Sequence, residues 1–318
     1  MFFIIFLIGI IKISLIRSFN TSYIEEEAQI ISRACGALYN EKLFKKCYEE
    51  DEYISSKLKL LSVVEKKKTF FIDHFITPIL EFKHDNKTLL VLNRQTTNNF
   101  QLIKQIISGF TPMTSYKNNM KINSYHKSNY NHTYQEMFNQ IKKLNITGQY
   151  KNIIFGGFSL GGGLSIIMAL KYALKTNISP NNIKVYTLGS PRTGSYSFSK
   201  YYNEYVPYTY RIVVRNDVVT SFPKCNGNSL YNICEDDSNT FFNYYYHVGT
   251  EVFYPYGTSN GIYIICDKHI EDDQCSRKFN TIFRIINVLL NRDYYKNVHK
   301  SYFKIKKTSD DTFNNICY

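Results

Sequence analysis

The serine at position 159 has the surroundings of a nucleophile. It is the centre of Gly157-Phe158-Ser159-Leu160-Gly161, which matches the Gly-x-Ser-x-Gly pattern that presents a reactive serine on a tight turn. The β-type run "YKNIIFGG" precedes it, and "LGGGLSIIMALKYALK" follows with apolar residues at helical spacing. A strand-to-helix elbow needs small flanking residues, which Gly157 and Gly161 supply, and it aims helix N-terminal amides at a developing oxyanion. The pattern predicts a nucleophile, and the alternative is a plain glycine turn.

A serine hydroxyl becomes a good nucleophile when a histidine takes its proton and a carboxylate orients that histidine. After such an elbow the partners follow in the order acid, then histidine. Asp217 ends the β-type run "TYRIVVRND", which predicts a carboxylate at the C-terminal end of a strand. Its alternative is a turn-forming residue ahead of Pro223. Three histidines follow, His247, His269 and His299, and spacing alone does not choose among them.

The elements that must position these residues fit in one domain. The chain has 318 residues, 44% of them hydrophobic, and shows no repeat or long linker. The start, "MFFIIFLIGIIKISLIRSF", is apolar but short for a membrane span, which favours a signal peptide over residues 1–18 and a single domain over 19–318. An uncleaved anchor is the alternative. Four good glycosylation sequons, none of them followed by proline, agree with a secretory route: Asn20, Asn86, Asn131 and Asn145.

Cysteine content and charge limit the other classes of function. Seven cysteines in a secreted chain predict disulfides with one thiol left over, and no Cys-x-x-Cys metal pattern is present. The net charge of +13 could favour anionic surfaces, but the basic residues are scattered. The excess of Lys, Asn, Ile and Tyr is typical of an AT-rich genome, so we expect no nucleic-acid partner.

Three segments together resemble the class 3 (fungal-type) triacylglycerol lipases. "FGGFSLGGGLS" resembles their "TGHSLGGALA", "VYTLGSPRTGSYSF" their "TFGxPRVGNxxF", and "YRIVVRNDVVTSFP" their "YRxxxxNDxVPxxP". The segment "YYYHVGTEVFYP", with "GIYIICDKHIEDDQCS" after it, is similar to secreted invertebrate members. The resemblance runs from about residue 34 to residue 303. It implies an α/β-hydrolase fold, with a central, mostly parallel sheet flanked by helices.

The resemblance also implies which histidine is the base. The family's base lies near the C-terminus in an Asp-His-x-x-Tyr-Phe context, which "VHKSYF" resembles, so His299 takes that role. Val298 stands where the family has Asp. The histidine before the strand "GTEVFY" is not the base in the family, so His247 becomes structural. The implied triad is Ser159, Asp217 and His299.

The oxyanion element departs from the family pattern. The family's Phe-Arg-Gly-Thr-Thr is matched by "NRQTT", so Asn93 stands for Phe and Gln95 for Gly. The resemblance implies that the amides of Thr96 and Leu160 bind the oxyanion. A glycine in such a turn often serves a positive φ, which Gln95 would adopt only with strain.

The resemblance implies a disulfide between Cys266 and Cys275. Cys225 with Cys234 could close another, and Cys317 is left to pair with Cys35 or Cys47, a choice that stays open.

The implied function is secreted hydrolysis of lipid carboxylic esters at a lipid–water interface, with no cofactor, metal or stable protein partner. The segment "FQLIKQIISGF" is either a lid or a buried amphipathic helix. The competing hypothesis is a lipase-fold protein without turnover that binds lipid or a host molecule. Gln95 and Asn93 support it, and the unbroken Ser, Asp and His set opposes it.

Overall fold

A computed structural model describes residues 19–38, 40–66, 74–96, 112–223, 225, 244–267, 271–272, 275–276 and 291–303. Four features of the sequence analysis lie outside this part: the apolar leader 1–18, the candidate lid "FQLIKQIISGF", His269, and the cysteines Cys234 and Cys317. Among the described helices, none has the length and apolar character needed to cross a membrane.

The chain alternates strands and helices through its middle part. The helices are α1 (Glu25–Gly36), α2 (Glu41–Glu50), α3 (Glu52–Lys57), α4 (Ser124–Leu144), α5 (Leu160–Thr176), α6 (Tyr196–Tyr205) and α7 (Arg292–His299). The strands are β1 (Leu58–Lys66), β2 (His74–Phe82), β3 (Asp85–Thr96), β4 (Met113–Lys117), β5 (Met120–Asn123), β6 (Asn152–Phe158), β7 (Ile183–Leu188), β8 (Thr209–Val214), β9 (Thr250–Tyr254) and β10 (Ile264–Ile265).

One sheet holds eight of these strands in the order β1-β2-β3-β6-β7-β8-β9-β10. The five strands from β3 to β9 in that order run parallel, and β1, β2 and β10 add antiparallel edges. Strands β6 and β7 are buried almost throughout, as expected for parallel strands covered on both faces. The mostly parallel sheet with flanking helices confirms the expected α/β-hydrolase fold.

Alternating side chains of the central strands build two cores, one on each face of the sheet. Leu92 and Ile154 pack on one face with Ile31 of α1. Val91 and Phe155 pack on the other, against α4 and α5. Because parallel strands end at the same edge, residues that follow β6, β7 and β8 meet at one edge of the sheet.

Candidate active site

Ser159 lies between the last residue of β6 and the first residue of α5. Its backbone has φ 54° and ψ −123°, a left-handed conformation that non-glycine residues rarely adopt. The Ser159 amide donates a hydrogen bond to the Leu188 carbonyl at the end of β7, at 2.8 Å. The strained turn therefore lifts the hydroxyl above the carboxyl edge of the sheet.

Two glycines allow this turn to pack closely. A Cβ on Gly157 would lie 2.3 Å from the Gly161 carbonyl oxygen, and a Cβ on Gly161 would lie 2.1 Å from the Asn93 carbonyl oxygen. Any side chain at either position would push α5 away from β6 or from β3. The spacing Gly-x-Ser-x-Gly thus reflects backbone contacts on both sides of the serine.

The structure brings Ser159, His299 and Asp217 into one chain of hydrogen bonds. His299 Nε2 lies 3.0 Å from Ser159 Oγ, and His299 Nδ1 lies 2.8 Å from Asp217 Oδ2. Asp217 follows β8, and His299 is the last residue of α7. Both are buried.

Asp217 accepts two further hydrogen bonds that hold its carboxylate. The Val219 amide donates to Oδ1 at 3.0 Å, and the Tyr302 hydroxyl donates to Oδ2 at 2.5 Å. Burial, followed by the charge of Asp217, raises the pKa of Tyr302 well above its usual value, so the phenol keeps its proton and donates. Sequence reasoning assigned no role to Tyr302, although it lies in the "VHKSYF" segment.

Gly189 is a second residue that sequence reasoning missed. It follows β7 with φ +57°, and a Cβ there would lie 2.6 Å from Asp217 Oδ2 and 3.0 Å from His299 Cε1. The absence of a side chain lets the acid and the histidine approach each other over the end of β7. Its signal in the sequence is the glycine that directly follows the strand in "VYTLGSPRTG".

Phe158 packs against the histidine. Its ring centroid lies 4.7 Å from that of His299, with the planes tilted by 34°, and 6.0 Å from that of Tyr302. This ring contact helps to hold the imidazole of His299 in its orientation. Phe158 therefore replaces the histidine of the family pattern with a packing contact to the candidate base.

The two candidate oxyanion residues lie on either side of the elbow. Leu160 is the first residue of α5. Thr96 is the last residue of β3, and Asn93 pairs with Gly157 of β6, so the β3 backbone extends past the end of β6 toward Ser159. The structure describes only the backbone of Gln95 and Thr96. Their roles in binding an oxyanion stay predictions.

Asn93 is part of the core. Its amide oxygen accepts from Thr77 Oγ1 at 3.0 Å, and its amide nitrogen donates to Ser165 Oγ at 3.0 Å. Ser165 Oγ donates in turn to the Gly156 carbonyl at 2.8 Å. This departure from the family pattern therefore links β2, β3 and α5 through buried polar bonds, and its side chain is satisfied there.

An apolar cluster flanks the serine. Leu160, Val218 and Phe222 are buried together, with Tyr125 and Tyr295 packed against them. Leu160 follows Ser159 and Val218 follows Asp217, so the cluster adjoins both ends of the hydrogen-bond chain. The residues that directly follow the candidate nucleophile and the candidate acid are therefore both apolar and buried.

His247 lies outside that chain. It is buried, and its Nε2–H donates to the Thr220 carbonyl at 2.7 Å. Burial, followed by the nearby Arg211, lowers the pKa of His247 well below its ordinary value, so the ring is neutral. The geometry gives it a role in holding the turn after Asp217.

A disulfide joins Cys266 and Cys275. Cys47 and Cys225 are also in disulfides, and among the described cysteines Cys35 is free and buried. Burial raises the pKa of the Cys35 thiol to about 12, which leaves it unreactive. Within the described ranges, one group of metal-ligand side chains lies close together, Glu251 with Cys266 and Cys275. Its two sulfurs are bonded to each other and offer no thiolate.

Comparison with known proteins finds similarity to lipases. The family model described as Lipase (class 3) matches residues 90–227. A lipase of Caenorhabditis elegans is 28% identical over 202 residues, which cover 59% of this chain and 55% of that protein. A lipase of Rhizopus niveus is 26% identical over 225 residues, which cover 70% of this chain and 50% of that protein. The chain thus spans about half the length of the curated relatives it matches.

Among solved structures, lipase II from Rhizopus niveus superposes with a TM-score of 0.65 at 21% identity. The match covers 90% of this chain and 98% of that one. Similarity at this identity shows that the two chains share the fold.

Proposed function

We propose that the chain is a class 3 lipase, because that family model matches residues 90–227, and that it is a secreted serine hydrolase that cleaves carboxylic esters of lipids through an acyl-enzyme. In this proposal residues 1–18 are a signal peptide, and residues 19–318 form one catalytic domain. The observation that supports it most is the continuous hydrogen-bond chain from Ser159 through His299 to Asp217.

Acylation begins at the serine. Ser159 Oγ attacks the ester carbonyl carbon while its proton moves to His299 Nε2, and the carbonyl electrons move to the oxygen. Asp217 accepts from Nδ1–H, which leaves Nε2 free to take that proton. The amides of Leu160 and Thr96 bind the oxyanion. When the tetrahedral intermediate collapses, His299 returns the proton to the leaving alcohol.

Deacylation repeats these steps with water. His299 takes a proton from the attacking water, a second tetrahedral intermediate forms, and Ser159 leaves with the proton that His299 returns. The carboxylic acid is released and the free serine is restored. No residue other than the triad gains or loses a proton over the cycle.

The substrate class follows from the apolar cluster beside the serine. Leu160, Val218 and Phe222 form an apolar cluster next to Ser159 and Asp217, and each methylene group of an acyl chain that is buried against such a cluster contributes about 0.8 kcal/mol. Esters of lipids are therefore favoured over esters of small polar acids, and the enzyme meets them at a lipid–water interface.

The test combines labelling and turnover on the full secreted chain. A fluorophosphonate probe should label Ser159 stoichiometrically, and p-nitrophenyl esters of increasing chain length should be hydrolysed. Ser159→Ala should abolish both signals. The matched control is Ser179→Ala, because Ser179 caps the short turn before β7, at the opposite edge of the sheet. It should keep both signals, and absence of labelling and turnover in the parent protein would refute the proposal.

One departure supports a second candidate, a lipase-fold lipid-binding protein without turnover. Gln95 stands one residue before Thr96, where the family carries glycine. Labelling without turnover would favour this candidate and would locate the defect at the oxyanion. Gln95→Gly should then restore ester hydrolysis, because a glycine relaxes the turn that presents the Thr96 amide.

A further inference from the structure

The residues behind Asp217 form a second buried network that the proposed chemistry does not use. Its centre is Glu271, a buried carboxylate within the loop that the Cys266–Cys275 disulfide closes. Arg192 donates two hydrogen bonds to this carboxylate, from Nε to Oε1 and from Nη2 to Oε2, both at 2.7 Å. Two parallel bonds to a carboxylate fix a guanidinium in one orientation.

Arg192 also binds the backbone of the turn that follows the acid. Its Nη1 donates to the carbonyl of Ser221 and to that of Pro223, the latter at 3.0 Å. The Arg192 amide donates to the Phe222 carbonyl at 2.8 Å. Three consecutive carbonyls are therefore held by one residue, which is itself held by Glu271.

The same turn is held from a second direction. The Glu271 carboxylate accepts from the His247 amide at 2.9 Å, and the His247 ring donates to the Thr220 carbonyl at 2.7 Å. Thr220 Oγ1 donates to the Asp217 carbonyl at 2.9 Å. Both routes start at Glu271 and end on the turn whose first residue is Asp217.

The negative charge of Glu271 explains why this one carboxylate can hold the buried Arg192 in place. Burial alone raises the pKa of Glu271, but the charge of Arg192 and its hydrogen bonds, and then the charge of Arg211, lower it, and the net pKa lies well below the usual range. Glu271 is therefore ionised, and it neutralises a guanidinium that is cut off from water. Removing that charge would leave Arg192 buried without it, and the guanidinium would have to shift.

We infer that Glu271 is a positioning residue: held by the Cys266–Cys275 loop, it fixes Arg192 and His247 against the turn that presents Asp217 to His299. In this inference Glu271 acts through Arg192, His247 and that turn, and not on the reacting atoms directly. This inference rests on the proposed ester hydrolysis. It gives the disulfide loop a role in turnover as well as in stability.

The test measures the turnover number per labelled serine. Glu271→Gln keeps the size of the side chain but removes the charge. It should lower kcat about 10- to 100-fold with KM within about twofold, because misplacing a catalytic group by less than 1 Å has effects of that size. A second variant, Cys266→Ser with Cys275→Ser, keeps Glu271 and releases its loop, and it should lower kcat in the same direction.

The control breaks a partly buried ion pair elsewhere in the protein. Glu27→Gln removes the partner of Lys184, whose Nζ lies 2.7 Å from Glu27 Oε2, and this pair joins α1 to the start of β7, at the opposite edge of the sheet from Asp217. It should lower the melting temperature and leave kcat per labelled serine unchanged. Dividing by labelled serine removes the fraction of unfolded protein from the comparison.

The outcomes separate this inference from the proposed function. If the parent protein is not labelled by the fluorophosphonate probe and does not hydrolyse esters, the proposed function is wrong. If the parent is active, and both variants melt earlier but keep the parent kcat per labelled serine, Glu271 is only structural. If Glu271→Gln does not fold, the double serine variant decides, and a parent-like kcat in it overturns the inference.

Discussion

The substitution Gly189→Ala adds one methyl group next to the candidate triad and so tests the arrangement of its residues. A Cβ at this position would lie 2.6 Å from Asp217 Oδ2, whereas ordinary van der Waals contact begins near 3.4 Å. In Gly189→Ala the carboxylate must therefore move by about 0.8 Å, the difference between those two distances. His299 must move as well, since its Cε1 would be 3.0 Å from the new atom.

The expected loss follows from that displacement. A shift of about 1 Å in a catalytic group costs roughly 100-fold in rate, so kcat of Gly189→Ala should fall by about that factor. The left-handed φ of +57° adds about 1–2 kcal/mol of backbone strain to the folded state. The variant should be slightly less stable and much less active.

A matched control separates strain from displacement. Gly148, in the turn after α4, also has a left-handed φ of +67°, but the atom nearest to an added Cβ there is Lys151 Nζ at 3.8 Å. Gly148→Ala should lose similar stability and keep its kcat. The assay is ester turnover per fluorophosphonate-labelled serine, with thermal melting of both variants.

The result that refutes this reasoning is a folded Gly189→Ala protein whose kcat stays within about threefold of the parent. Such a result would mean that Asp217 and His299 relax without loss, and that their distances in the structure do not limit turnover. Equal losses of kcat in both alanine variants would assign the effect to backbone strain.

Further predictions concern the acid and three histidines. Tyr302→Phe removes one bond to the Asp217 carboxylate, worth about 1.5–3 kcal/mol, and should lower kcat/KM by at least about tenfold in a folded protein; an unchanged value would leave the bond without a catalytic role. His299→Ala should lower ester turnover by several orders of magnitude, whereas His247→Ala should mainly cost about 1–3 kcal/mol of stability, and the reverse pattern would overturn the assignment of the base. Burial lowers the pKa of His126 to about 4. Between that value and the ordinary pKa of about 6.5, the unfolded chain therefore binds a proton at this residue that the folded protein does not bind. As the pH is lowered from about 6.5 to about 4, this residue should therefore decrease the free energy of unfolding by about 1.4 kcal/mol per pH unit. Urea titrations at several pH values should show that His126→Gln reduces this slope by the amount that corresponds to about one proton.

Asn93, a buried residue that departs from the family pattern, illustrates how such a pattern misleads when it is considered alone. From the sequence, Asn93 in place of an aromatic residue counted against turnover. In the structure its amide makes two buried hydrogen bonds, to Thr77 and Ser165, which lie 16 and 72 residues away along the chain. Partners that distant leave no local signal, so the substitution could not be explained before the strands were paired.

The sequence by itself determined the features that depend on neighbouring residues. The run of β-type residues, the Gly-x-Ser-x-Gly spacing and the helical periodicity after it fix a strand, a turn and a helix within 25 residues, because glycine tolerance and side-chain periodicity are local properties. The fold class was implied by the resemblance to the lipase family. Resemblance to the lipase family selected His299, where spacing had left three histidines equal.

Only the tertiary structure decided which residues lie close to Asp217 and to the turn that follows it. Gly189, Tyr302 and Glu271 act on Asp217 or its turn from β7, from the end of the chain and from the disulfide loop, at separations of 28 to 85 residues. Their effect depends on distances of 2.5–3.0 Å that arise when parallel strands end at one edge of the sheet. Sequence patterns record which residues are present, whereas close contact between distant residues exists only after the sheet has formed.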